Sequence, residues 1–159
     1  MKTEKILVIG AGGQLGTELV AGLWKSYGKE NVMATDIKEP KGILAQGDFE
    51  ILDVLNPENL TTLLKKNKFT QIYHLAAVLS ATGEQNPEVA WKLNMDSLMH
   101  VLQAAVELKI KKVYWPSSIA VFGPSTPKIK TPQNTIMDPI TIYGISKQAG
   151  ERWCEWYFR

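Results

Sequence analysis

The sequence predicts an α/β domain built on a doubly wound parallel sheet, and three observations predict it. Short apolar runs alternate with stretches of helical spacing along the chain, the pattern of strand–helix–strand units. The first run, residues 5–9, is apolar after its lysine and ends in glycines, as a central strand buried on both faces must be. Finally, 159 residues suffice for one domain with a sizeable core and would be cramped for two.

Each element has its own signal. Residues 14–27 form a helix with Leu15, Leu19 and Leu23 at helical spacing, and residues 31–35 and 49–52 read as the second and third strands. Asn56-Pro57 opens a helix running to about Asn67, with asparagine as cap and proline in the first turn. Residues 71–75 are the fourth strand. Asn86-Pro87 opens a long helix over 86–109, whose stripe of Val89, Leu93, Leu98, Val101, Leu102 and Ala105 reads as core or subunit interface. Residues 112–115 are the fifth strand. Between 116 and 141, Pro116, Pro124, Pro127, Pro132 and Pro139 exclude a helix or inner strand, because proline has no amide to donate. A loop this long is functional or mobile. A last helix starts near Ile142 and reaches Arg159, so the single domain, residues 1–159, ends inside it.

Composition narrows the function classes. With 45% hydrophobic and 21% charged residues the chain is of ordinary soluble type, and a net charge of +2 is too small to argue for nucleic acid or an anionic membrane. No apolar run approaches membrane-spanning length, and a first strand so near Met1 leaves no room for a signal peptide. The lone cysteine, Cys154, cannot form an internal disulfide, so a reducing, cytoplasmic setting is expected. It lies in a helix with no histidine nearby in sequence and reads as packing. His74 and His100 have no companions that would make a metal site.

The chemistry-bearing residues sit at the ends of the strands. Gly10-Ala11-Gly12-Gly13-Gln14-Leu15-Gly16 follows the first strand and opens a helix, with glycines at 10, 13 and 16. The first permits a tight turn, the second lets main-chain amides approach a pyrophosphate, and the third lets helix pack on strand. Unpaired amides and the helix dipole then face the phosphates. Asp36, twenty residues beyond Gly16 at the end of the second strand, can accept both ribose hydroxyls and repel a 2′-phosphate, which favours NAD over NADP. Ile37 and Lys38 follow it, and Lys38 pulls against that preference. Asp53, with Val54, ends the third strand, where it either meets the adenine or approaches the next helix. After Leu75, Ala76 and Ala77 end the fourth strand with small side chains that leave room for a cofactor beside all three.

Tyr143 and Lys147, four residues apart at the start of the last helix, share a face. A phenol is a poor base at neutral pH, and an adjacent ammonium favours its phenolate. Ser117-Ser118 ends the fifth strand, where a hydroxyl can reach the same substrate oxygen.

The spaced glycines, His74-Leu75-Ala76-Ala77, Asn94, Ser118 and Tyr143-Gly144-Ile145-Ser146-Lys147 resemble, in order, the extended short-chain dehydrogenase/reductase superfamily in its epimerase/dehydratase-like branch. That resemblance implies a Rossmann-type sheet. Within the branch, Leu79-Ser80-Ala81, the segment 115–124 and the segment 143–154 are most similar to NAD-dependent L-threonine 3-dehydrogenases. The resemblance implies Tyr143 as base for the threonine 3-hydroxyl, Lys147 on the nicotinamide ribose, and Ser118 on the reacting oxygen. It implies further that Ser80 and Ser117 help hold the amino acid and that Asn94 supports the lysine. The product would be 2-amino-3-oxobutyrate, and the helices at 86–109 and 142–159, with Trp153 and Trp156, resemble those that pair subunits into a homodimer.

Members of the branch continue past the tyrosine helix into a sixth strand and a smaller substrate lobe, absent from this chain. It is either a fragment of a longer enzyme or a naturally short relative. The matching catalytic positions favour the first, and the chain alone is expected to be a poor enzyme. Two other functions share the motifs: a nucleotide-sugar epimerase or dehydratase, and a non-catalytic NAD-binding domain.

Overall fold

The computed structural model describes residues 4–159, and the chain divides into two compact units. The first runs through Ala76 and resumes over Met99–Pro116, and the second takes Ala77–Leu98 and Ser117–Arg159.

All the strands lie in the first unit. They are β1 (Ile6–Ile9), β2 (Val32–Asp36), β3 (Asp48–Ile51), β4 (Gln71–His74) and β5 (Lys112–Tyr114). They form one parallel sheet in the order β3-β2-β1-β4-β5. The order reverses between β1 and β4, and in such sheets ligands bind at that switch, beyond the carboxyl ends of the strands. Being central, β1 is sealed on both faces, and Ile6, Leu7, Val8 and Ile9 are all buried. The core gathers Ile6, Val8, Val20, Leu23, Val32 and Ala34. Strand boundaries match the expected ones to within a residue.

Helix α1 (Gln14–Tyr27) buries Gly16, Val20 and Leu23 and packs Leu19 against the core, so the expected stripe holds at Leu19 and Leu23 and departs at Leu15, which is 71% exposed. Gly16 makes the close approach: a Cβ there would lie 2.6 Å from Ala11 Cα and from the Gly10 carbonyl. Only that face can approach β1 so closely. Helix α2 (Pro57–Asn67) starts as expected, with Asn56 Oδ1 accepting from the Asn59 amide at 3.0 Å. At the opposite end of the sheet, Glu4 accepts hydrogen bonds from Thr70, Gln71 and Lys111. Those donors hold its carboxyl at about 2, below the ordinary 4.5.

The second unit is helical. The expected helix over 86–109 begins at Pro87 but is not uniform. It runs as α4 (Pro87–Trp91), a π-helical turn at Lys92–Asp96, and α5 (Ser97–Glu107), whose residues from Met99 on belong to the first unit. Leu98, Val101, Leu102 and Ala105 are buried, whereas Val89 is exposed. Counting the helices of the whole chain in order makes Ser80–Gln85 α3 ahead of α4, a helix no apolar periodicity announced. It forms because Gly83 brings it against Ile142 and Ala90. The last helix, α6 (Ile142–Phe158), starts where expected. The proline-rich stretch before it is closed on itself. Thr126, buried, accepts from the Gly123 amide and donates to the Ile136 carbonyl, while Asp138 accepts from the Ser125 amide at 2.9 Å.

Candidate functional site

In the first unit the glycine turn links β1 to α1. Gly10 sits at φ +79°, and its amide and that of Ala11 both donate to the Thr35 carbonyl. A Cβ on Gly10 would lie 2.6 Å from the Ala76 amide nitrogen, so this glycine also admits the end of β4. Gly13 differs: its nearest protein atom would be 3.5 Å away, leaving the outer side of the turn open. The three motif glycines thus serve a tight turn, an open approach and a close helix contact.

Asp36 stands beside this turn. Its Oδ2 accepts from the Gly12 amide at 2.9 Å and its Oδ1 from the Lys38 amide at 3.3 Å. A carboxylate accepts at about four sites, so capacity remains for ribose hydroxyls. Around it opens a cleft of about 290 Å³, with Gly12 and Thr17 on one side and Lys38 and Lys41 on the other. Ile37 is exposed beside it, as are Gln14 and Leu15 at the start of α1. The Gly12 contact had no sequence signal, since Gly12 is not a motif glycine.

Asp53 Oδ1 accepts from the Leu55 amide at 2.9 Å, the geometry of an aspartate turning the chain toward α2. Val54 is buried, and its carbonyl meets His100 Nδ1 at 3.2 Å. Leu75 donates its amide to the Ile9 carbonyl, extending the ladder toward Ala76.

In the second unit, the tyrosine helix is pinned at its start. Thr141 Oγ1 accepts from the Gly144 amide at 3.0 Å, and Glu84 on α3 accepts from the Ile142 amide at 2.7 Å. A Cβ on Gly144 would lie 2.2 Å from the Ala120 carbonyl, so the helix packs tightly on the segment after Ser118. Tyr143 is half-buried, and Lys147 is 2% exposed with its Nζ 5.6 Å from the tyrosine ring centre. Burial pushes the lysine ammonium down to about 8, with the Cys154 thiol acting in the opposite sense. Cys154 itself is half-buried and pushed up by burial, as befits a packing residue.

Ser118 is extended, and its Oγ accepts from the Ala120 amide at 3.2 Å, capping the short turn Ile119–Val121. That bond uses a lone pair and leaves the hydroxyl hydrogen to donate. Ser117 donates its hydroxyl to the Glu151 carboxylate, a partner two turns beyond Tyr143. Ser80 opens α3 and is half-buried. Asn94, within the π turn, is buried and accepts from the Val78 amide at 2.8 Å. Its own amide donates to the Val78 carbonyl and to Ser146 Oγ, each at 3.1 Å. Glu84, Ser146 and Glu151 were not among the expected site residues. Glu151 could have been found as the next same-face position after Lys147.

Comparison with known proteins places these features in a family. The model of the NAD dependent epimerase/dehydratase family matches residues 6–159. An uncharacterized epimerase/dehydratase of Staphylococcus saprophyticus is 50% identical over 157 residues, 98% of this chain and 49% of the relative. The chain therefore spans about half the length of the curated relatives it matches. Among solved structures, a partial consensus L-threonine 3-dehydrogenase is 53% identical with a TM-score of 0.92, over 96% of this chain and 49% of that one. A GalE-like L-threonine dehydrogenase from Cupriavidus necator, in its holo form, is 50% identical at the same TM-score, over 96% and 50%. A UDP-glucose 4-epimerase from Thermotoga maritima, at 23% identity and TM-score 0.86 over 96% and 50%, shares the fold. With its glycine turn, parallel sheet and tyrosine–lysine helix in these positions, the chain belongs to the NAD-dependent epimerase/dehydratase family.

Proposed function

We propose that this chain binds NAD and takes part in oxidising L-threonine at C3 to 2-amino-3-oxobutyrate. The observation that carries the chemistry is Lys147, an amine sealed to 2% exposure beside Tyr143 on one helix face. Burying an ammonium is costly, and a chain keeps one where its charge acts on a neighbour. The choice of threonine rests on the likeness to the two L-threonine dehydrogenases above.

The turn at Gly10, Gly13 and Gly16 would hold the pyrophosphate, with Asp36 taking the adenosine ribose and Lys147 the nicotinamide ribose. Ile37, Lys38, Asp53, Val54, Leu75, Ala76, Ala77 and Asn94 complete the cofactor contacts proposed. The residues fit the group, since Gly13 leaves the turn open and Asp36 retains acceptor sites. When bound, NAD supplies the acceptor for the hydride that leaves threonine C3. Tyr143 takes the proton of the 3-hydroxyl as the C3–O bond becomes a carbonyl. Ser118 donates to the same oxygen and orients it, while Ser80 and Ser117 hold the amino acid. Ser117 would do this with a lone pair, its hydrogen being given to Glu151.

We propose a homodimer built on α6, where Trp153 and Trp156 are 41% and 65% exposed, and a cytoplasmic setting consistent with the lone cysteine. Among the described residues no helix is long and apolar enough to cross a membrane. The names of the curated relatives favour a second reading, a nucleotide-sugar epimerase or dehydratase. The test is NADH formation from L-threonine against a panel of nucleotide sugars, using the longest natural form that contains this chain. Threonine turnover is expected, and Tyr143→Phe should abolish it while NAD still binds. Turnover of a sugar with none of threonine would overturn the reading.

A further inference from the structure

Ser146 is fully buried one residue before Lys147, and its hydroxyl closes a chain of hydrogen bonds. It donates to the Tyr143 carbonyl at 2.7 Å and accepts from Asn94 at 3.1 Å. Asn94, 1% exposed, uses its second amide hydrogen and its carbonyl oxygen on the Val78 main chain. Both amide hydrogens and the hydroxyl hydrogen are thereby in use. At one end of the circuit lies the main chain of the tyrosine. At the other lies Val78, two residues before Ser80.

We infer that Ser146 is a positioning residue for the Tyr143–Lys147 pair, and through Asn94 the joint tying that pair to the Val78–Ser80 segment. Its catalytic consequence rests on the function proposed above; the joint itself does not. Three considerations support it. A buried polar group that loses its partner costs about 1–3 kcal/mol, so removing the hydroxyl leaves Asn94 a strong incentive to move. The asparagine sits in a π turn, a local widening that is held by side-chain contacts rather than by helix propensity. The hydroxyl bonds back three residues along its own helix, a contact made to the main chain of its first turn. That first turn carries the tyrosine, and the next residue is the lysine.

Ser146→Ala removes one oxygen and little volume. Three readouts follow it in the protein's longest natural form. The Val78 amide, held by Asn94, should exchange with solvent at least about tenfold faster. The Lys147 ammonium, followed by NMR, should titrate about one pH unit higher as water reaches it; the Tyr143 ring and the Cys154 thiol are among the groups that face it. The kcat for threonine should fall about tenfold. If Ser146→Ala does not fold, Ser146→Cys keeps a weaker donor and should show the same changes at smaller amplitude. A lower melting temperature with Val78 exchange and Lys147 titration both unmoved would show packing alone and overturn the inference. If the unaltered protein oxidises no threonine, the functional reading falls while exchange and titration still decide the role of Ser146.

Discussion

Replacing Lys147 by methionine should make this protein more stable at neutral pH while removing the chemistry proposed for it. The lysine is sealed to 2% exposure, and burial lowers its ammonium from 10.5 to about 8. A depressed folded value means that the folded state holds its proton less tightly than the unfolded chain. At roughly 1.4 kcal/mol for each pH unit between the two values, keeping the charge at neutral pH costs up to about 3 kcal/mol. Methionine has similar length and no charge, so it recovers most of that cost. With a urea slope of about 2 kcal/mol per molar, the midpoint should rise by about 1–1.5 M near pH 7. The pH dependence is the sharper test. The wild-type penalty is absent above about pH 10.5 and complete below about pH 8. The wild-type protein therefore gains stability across that window, the variant does not, and the gap closes. The assay is urea unfolding of both proteins from about pH 7 to about pH 10. A variant no more stable at pH 7, or a gap that stays constant with pH, would refute the burial argument.

Two further outcomes follow from the first unit. Gly16→Ala would put a Cβ within 2.6–2.7 Å of three main-chain atoms of Gly10 and Ala11, none of which can swing aside. It should lower stability by at least about 1–3 kcal/mol and weaken NAD binding, read by thermal unfolding and calorimetry. Glu4→Gln should flatten the acid side of the stability profile. The carboxylate's contribution is full above about pH 4.5 and lost as pH falls toward about 2, so melting temperatures of the two proteins should converge at the acid end.

Much of the first unit was legible because its physics is local. A four-residue strand sealed on both faces must be continuously apolar, and Ile6-Leu7-Val8-Ile9 is. A helix opened by Asn56-Pro57 needs only its own cap, and the cap is there. On α1 the stripe was legible at Leu19 and Leu23, and so was Gly16, where helix and turn meet; Leu15 alone, left exposed, departs from it. In the second unit legibility failed where partners are far apart in sequence. Nothing within Ser80–Gln85 announces a helix, because its support comes from Ile142, about sixty residues on. The π turn was likewise invisible, since its apolar spacing resembles that of an ordinary helix and the partner of its Asn94, Val78, lies sixteen residues back.

The local rules that the chain breaks are not scattered. Lysine is sealed, an asparagine turns from solvent to grip a main chain, and a helix widens by a residue, all in the second unit and all within two bonded contacts of Tyr143. The first unit follows the same rules more closely at its centre, with Gly10 and Gly16 where backbones meet and β1 apolar throughout. If the second unit were shaped for stability alone, methionine at 147 would serve at lower desolvation cost. Stability therefore is not what the charge at 147 is for. Departures of this kind gather where chemistry is done. The same reasoning separates Lys147 from Cys154: both are at least half removed from water, but only the lysine brings a charge beside the tyrosine ring.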